Sequence, residues 1–97
     1  MPGYISLSKY TQQGIAGIKT APERLKQTKA LFEKMGVRLV GIWWTLGEYD
    51  MVAVCDAPDD QTMAAAALAS GMRGISTTET MRALSEEEFA QVVSKLP

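Results

Sequence analysis

Residues 37–56 read VRLVGIWWTLGEYDMVAVCD, two runs of Val, Ile, Leu and Trp on either side of Gly47-Glu48. A glycine in the first central position of a two-residue loop suits a type II′ hairpin turn, so the pattern predicts a β-hairpin with φ > 0 at Gly47. With Leu46 opposite Tyr49, counting outward pairs Thr45 with Asp50, Trp44 with Met51, Trp43 with Val52, Ile42 with Ala53 and Gly41 with Val54. One face then holds Val40, Ile42, Trp44, Leu46, Tyr49, Met51, Ala53 and Cys55, apolar enough to lie under helices. The other holds Leu39, Gly41, Trp43, Thr45, Asp50, Val52 and Val54.

The rest of the chain is punctuated in the same way. Residues 4–10 alternate as a strand, Ile5 and Leu7 on one side and Tyr4, Ser6, Ser8 and Tyr10 on the other. Residues 11–19 show no period and read as a long loop. Thr20-Ala21-Pro22-Glu23 has capping-box spacing and opens a helix with Leu25, Thr28, Phe32 and Met35 as its buried stripe and Gly36 as its stop. Ala57-Pro58-Asp59-Asp60 opens a second, alanine-rich helix that Gly71 ends. Residues 73–84 are rich in Thr and form the fourth strand; Ser85-Glu86-Glu87-Glu88 then caps a last helix with Phe89, Val92, Val93 and Leu96 on one face.

Strand, helix, strand, strand, helix, strand and a terminal helix make an α+β chain. The split β-α-β form of that order is the ferredoxin-like βαββαβ sandwich, a four-stranded antiparallel sheet in the order 4-1-3-2. Helices cover one face, and the expected open face carries Ser6, Ser8, Trp43, Val52 and Thr78. Parts of it are too apolar to stay wet, which calls for a partner subunit.

Composition narrows the function classes. Ninety-seven residues make a single domain over 1–97 that buries about two-thirds of its unfolded surface, so help from oligomerisation is natural. Ten basic and eleven acidic residues give a net charge of -1 without basic runs, against nucleic-acid binding. MPGYISLSKY has no apolar core behind positive charge, and no run approaches a membrane span, so a cytoplasmic location without membrane association is expected. Cys55 is the one cysteine and histidine is absent, which removes an internal disulfide, the commonest metal ligand and the commonest general base. No metal or organic cofactor is expected.

Gly47-Glu48-Tyr49-Asp50 at the hairpin, together with Thr11-Gln12-Gln13-Gly14-Ile15, Ala21-Pro22-Glu23-Arg24, Ala57-Pro58-Asp59-Asp60 and Met81-Arg82-Ala83, resembles the GYD-domain family across almost the whole chain. Asp56 stands where that pattern has a glutamate, and Ser76 where it has a larger apolar residue. The resemblance implies pairing of two ferredoxin-like sheets as a dimeric α/β barrel, and carries no established general activity.

Topology brings the end of the first strand, the hairpin turn and the starts of the fourth strand and first helix to one end of the sheet. Tyr10, Thr11, Gln13, Arg24, Trp43, Thr45, Asp50 and Arg73 converge there as candidate site residues, with the long loop as a cover. Asp50 beside the Trp43 ring is the candidate general acid or base. Its structural use, accepting hydrogen bonds that fix the hairpin, is the default. Trp43 has a ligand-stacking use and a core or dimer-contact use; Trp44, on the other face by alternation, is assigned to core packing. Arg24 and Arg73 are candidates for an anionic ligand or for structural pairs. Cys55, far from any basic cluster, reads as an inert buried thiol. Two functions follow: an oligomeric small-metabolite-binding or regulatory module with its pocket at the hairpin end, or a small cofactor-independent enzyme of oxygenase or isomerase type using Asp50.

Overall fold

A computed structural model describes all residues, Met1–Pro97. The chain runs β1 (Gly3–Tyr10), α1 (Gln12–Ala16), a 3-10 turn (Ile18–Thr20), α2 (Ala21–Lys34), β2 (Arg38–Trp44), β3 (Met51–Asp56), α3 (Asp60–Gly71), β4 (Ser76–Ala83) and α4 (Glu86–Ser94). The sheet order is β2-β3-β1-β4, which is 4-1-3-2 read from the other edge, and every pairing is antiparallel. The chain has the expected ferredoxin-like α+β topology.

Helix boundaries follow local chemistry. Asp59 accepts the Thr62 N–H at 2.8 Å to start α3. Ser85 and Glu88 form a complete capping box at the head of α4. Gly36, at φ 81°, lies just beyond α2. The spacing at Thr20 misleads: its hydroxyl donates back to the Gly17 carbonyl at 2.8 Å, and no side chain caps α2. Residues 11–19 are also not a loop throughout. Thr11 caps the five-residue α1 by accepting the Gly14 N–H at 3.1 Å. A helix this short shows no detectable period.

The hairpin pairs as counted from Trp44–Met51 to Gly41–Val54, after which a bulge at Val40 puts Leu39 opposite Cys55. Val40 is therefore turned out and half exposed, and Leu39, expected on the open face, takes the core-side position expected of Val40. The loop is wider than two residues: Thr45 N–H donates to the Asp50 carbonyl at 2.9 Å, and Leu46 stands free in solvent. Gly47 adopts φ 123°, so the positive φ is present without the tight II′ loop.

The faces of β1 and β4 differ from expectation. Tyr4 is 3% exposed in a cluster with Phe32, Val37, Cys55, Ala57, Met63 and Ala66, and its hydroxyl donates to Asp60 at 2.6 Å. Burying that ring under α2 and α3 carries Ser6, Ser8 and Tyr10 to the helix side as well, because side chains alternate strictly along a strand. Opposite them stand Thr80, Thr78 and Ser76. Ile5 and Leu7 go to the open face with Val52, Val54, Trp43 and Met81. Tyr49 also moves, its hydroxyl donating to Glu79 at 2.7 Å and Lys9 lying 5.2 Å from its ring centre.

Candidate functional site

The hairpin end of the sheet is built around Asp50. Its Oδ2 accepts the Tyr10 N–H at 2.8 Å, and its own N–H donates to the Ser8 carbonyl at 2.8 Å. Together with the Thr45 bond, these contacts fasten the hairpin to the end of β1. Thr45 Oγ1 closes the loop onto the Tyr49 carbonyl at 2.7 Å.

Directly after β1, Thr11 N–H donates to the Ile75 carbonyl at 3.1 Å and its hydroxyl to the Gly74 carbonyl at 2.7 Å. These bonds press α1 against the entry to β4. Gly14 meets that entry so closely that a Cβ there would lie 2.0 Å from the Ile75 carbonyl oxygen. Arg24 reaches from α2 to the Gly14 carbonyl at 3.1 Å. Gln13 is exposed beside Gly74.

A cavity of about 100 Å³ opens between the helix side of the sheet and α2, α3 and the entry to β4. Its walls are apolar, formed by side chains such as Leu25, Phe32, Ile42, Met51 and Ile75. Part of its sheet side is hydroxylated: Ser8 and Thr78 share a hydrogen bond of 3.1 Å, and Ser6 bonds Thr80 at 3.0 Å. At the exposed end, Trp44 Nε1 donates to the Tyr10 hydroxyl at 2.8 Å. Cys55 also lines the cavity; burial, with a smaller push from Asp56, raises its thiol to about 11, so it stays protonated at neutral pH.

Of the candidates read from sequence, Tyr10 and Arg24 line this cavity. Asp50, Thr11 and Thr45 stand beside it as backbone anchors. Arg73 turns to α2, donating to Thr28 Oγ1 at 2.7 Å and Gln27 Oε1 at 3.0 Å. Trp43 lies on the open face, 56% exposed, with its ring across Gly41. The cavity tryptophan is Trp44, which sequence reasoning assigned to the core. The Ser8–Thr78 pair was also missed, although the signal was present in the polar alternation of β1 and the Thr-rich β4.

The chain is similar to a solved and to a curated protein. An ACT domain protein from Streptococcus pneumoniae matches at 14% identity, covering 100% of this chain and 98% of that one, with a TM-score of 0.47. A Thermus thermophilus protein described as "Glutamine synthetase and cystathionine beta-lyase binding protein" is 39% identical over 85 residues, 87% of this chain and 90% of the relative. The GYD domain model matches residues 4–93. With its hairpin motif, ferredoxin-like topology and near full-length match, the chain belongs to the GYD domain family.

Proposed function

We propose that this chain is a non-catalytic regulatory module that takes a small metabolite into the sheet–helix cavity and docks, as a homo-oligomer, on a larger metabolic enzyme. The observation that carries this is the division of labour at the hairpin end. The cavity is lined by apolar chains and hydroxyls, while the nearby carboxylate of Asp50 is engaged with the Tyr10 N–H. Apolar walls with a few placed polar groups are what small-molecule recognition uses. The Asp50 contact is the one expected of a hairpin brace, and Asp50 is not among the residues that line the cavity.

Docking draws support from the exposed apolar groups Trp43 and Met81 on the open sheet face. The relative named as a binding protein of glutamine synthetase and cystathionine beta-lyase makes those two enzymes the first partners to test. Each enzyme, immobilised and titrated with this chain, is expected to give saturable binding in biolayer interferometry that Trp43→Asp weakens. Absence of binding to both at concentrations well above the micromolar range of standard interfaces overturns the docking half. The metabolite half has its own test.

A further inference from the structure

The charge pattern of the cavity, taken with the proposal that it is a metabolite site, points to the chemical class of its ligand: we infer that it takes a small apolar monocarboxylate, with the carboxylate on Arg24 and the tail among the apolar walls. Arg24 is the one charged residue lining the cavity. It is half-buried and has no carboxylate partner, since the protein's ion pairs are Lys9–Glu48, Lys26–Glu23, Arg38–Asp56 and Arg82–Glu88. One guanidinium N–H group donates to the Gly14 carbonyl through Nη2. A guanidinium carries several donors in a planar fork, so the bond to Gly14 holds the group in place without exhausting it. Arg73 does not compete for the same anion, because it does not line the cavity and turns instead to Thr28 and Gln27.

An unpaired cation beside an apolar cavity favours an anion whose own body is apolar. A phosphate or a dicarboxylate would place further charge against walls that offer no second cation. An ammonium compound would meet Arg24 as a like charge. The volume of about 100 Å³ accommodates a tail of about four carbons, given that a dry cavity of about 150 Å³ accepts benzene, and the end beside Trp44 is open to a slightly longer chain. The Ser8–Thr78 hydroxyl pair can exchange its internal bond for one to a polar substituent on that tail.

Hexanoate, 1-hexanol and hexylamine share one tail and differ in head group, which makes them suitable probes. Titrated at neutral pH into a Trp43→Phe background, they are read by Trp44, whose indole lines the cavity. The expected order is hexanoate tighter than hexanol by about tenfold or more, the range of a charge-assisted hydrogen bond, with no response to hexylamine. Arg24→Gln should cost hexanoate that advantage and leave hexanol unchanged. A purely structural Arg24, clamping α1, would weaken both alcohol and acid. Hexanol binding as tightly as hexanoate overturns the carboxylate assignment and leaves the cavity as a metabolite site. No response to any of the three in the parent chain, or a response that survives in an Ala53→Leu control that fills the cavity, overturns the metabolite site itself. Should Arg24→Gln not fold, the order of the three probes in the parent chain still decides.

Discussion

Asp50 and Gly14 show how much single residues fix at the hairpin end. Removing the Asp50 carboxylate strands the Tyr10 N–H in a half-buried position, so Asp50→Ala should cost about 1–3 kcal/mol in urea denaturation. Asp50→Asn keeps an acceptor oxygen and should cost less. A Cβ on Gly14 would meet the Ile75 carbonyl, a backbone atom that cannot swing aside. Gly14→Ala should therefore destabilise by roughly 1–3 kcal/mol and raise hydrogen exchange at Thr11, whose N–H bonds the same carbonyl. Equal exchange rates in parent and variant would show that α1 relaxes freely. The Asp50 motif was legible in the sequence as a hairpin feature. The role of Gly14 was not, because a close approach between α1 and β4 leaves no trace in periodicity.

Among the elements, caps were the most readable parts and strand faces the least. The Ser85–Glu88 box is short-range chemistry and is present as read, and Asp59, read as a carboxylate at the start of its helix, is that helix's cap. At Thr20 the same spacing produced no cap, since the hydroxyl finds Gly17 first. The face of β1 was misjudged because Ile5 and Leu7 look like its inward residues, yet the Tyr4 ring buries more area and has a partner for its hydroxyl in Asp60. That inversion placed the hydroxyl pairs on the wrong side and hid the cavity. The caps also set an acid response. The Thr62 N–H lowers Asp59, and the Ser85 N–H, with help from Arg82, lowers Glu88. Groups depressed in the folded state stabilise it above their unfolded values, about 3.9 for Asp and 4.3 for Glu, and lose that contribution as pH falls through the folded values. Thermal melts should therefore drop from about pH 5 downward, and Asp59→Asn, which caps without titrating, should drop less steeply.

As a whole the molecule is larger than its length requires. A radius of gyration of 14.8 Å exceeds the roughly 12.5 Å of an average chain of this size, and its extents are 52 × 31 × 18 Å. None of the residues of α4 is buried, although Phe89, Val92 and Val93 form an apolar stripe. The stripe can be covered by the same stripe of a second copy across a two-fold axis, which leaves the open sheet face with Trp43 to the enzyme. Light scattering should give about 21 kDa rather than the 10.6 kDa of one chain, and Phe89→Glu with Val92→Glu should shift the mass toward the monomer. A monomeric parent chain at micromolar concentration would leave the α4 stripe to a different protein. No helix is long and apolar enough to cross a membrane.

The bulge at Val40 gives β2 a tolerance that no other strand of this sheet has. In a regular strand, losing one residue reverses every side chain on one side of the cut. Here Leu39 already faces Cys55 and Gly41 already faces Val54, so excising Val40 would join two segments whose faces agree. The Arg38–Asp56 ion pair at 3.2 Å would keep its register too. A single-codon deletion at Val40 should yield a folded protein with a straighter β2, whereas deletion of Val52 in β3, which has no such spare residue, should abolish folding. Insertions and deletions in relatives of this chain are therefore expected to concentrate at that one position of the sheet.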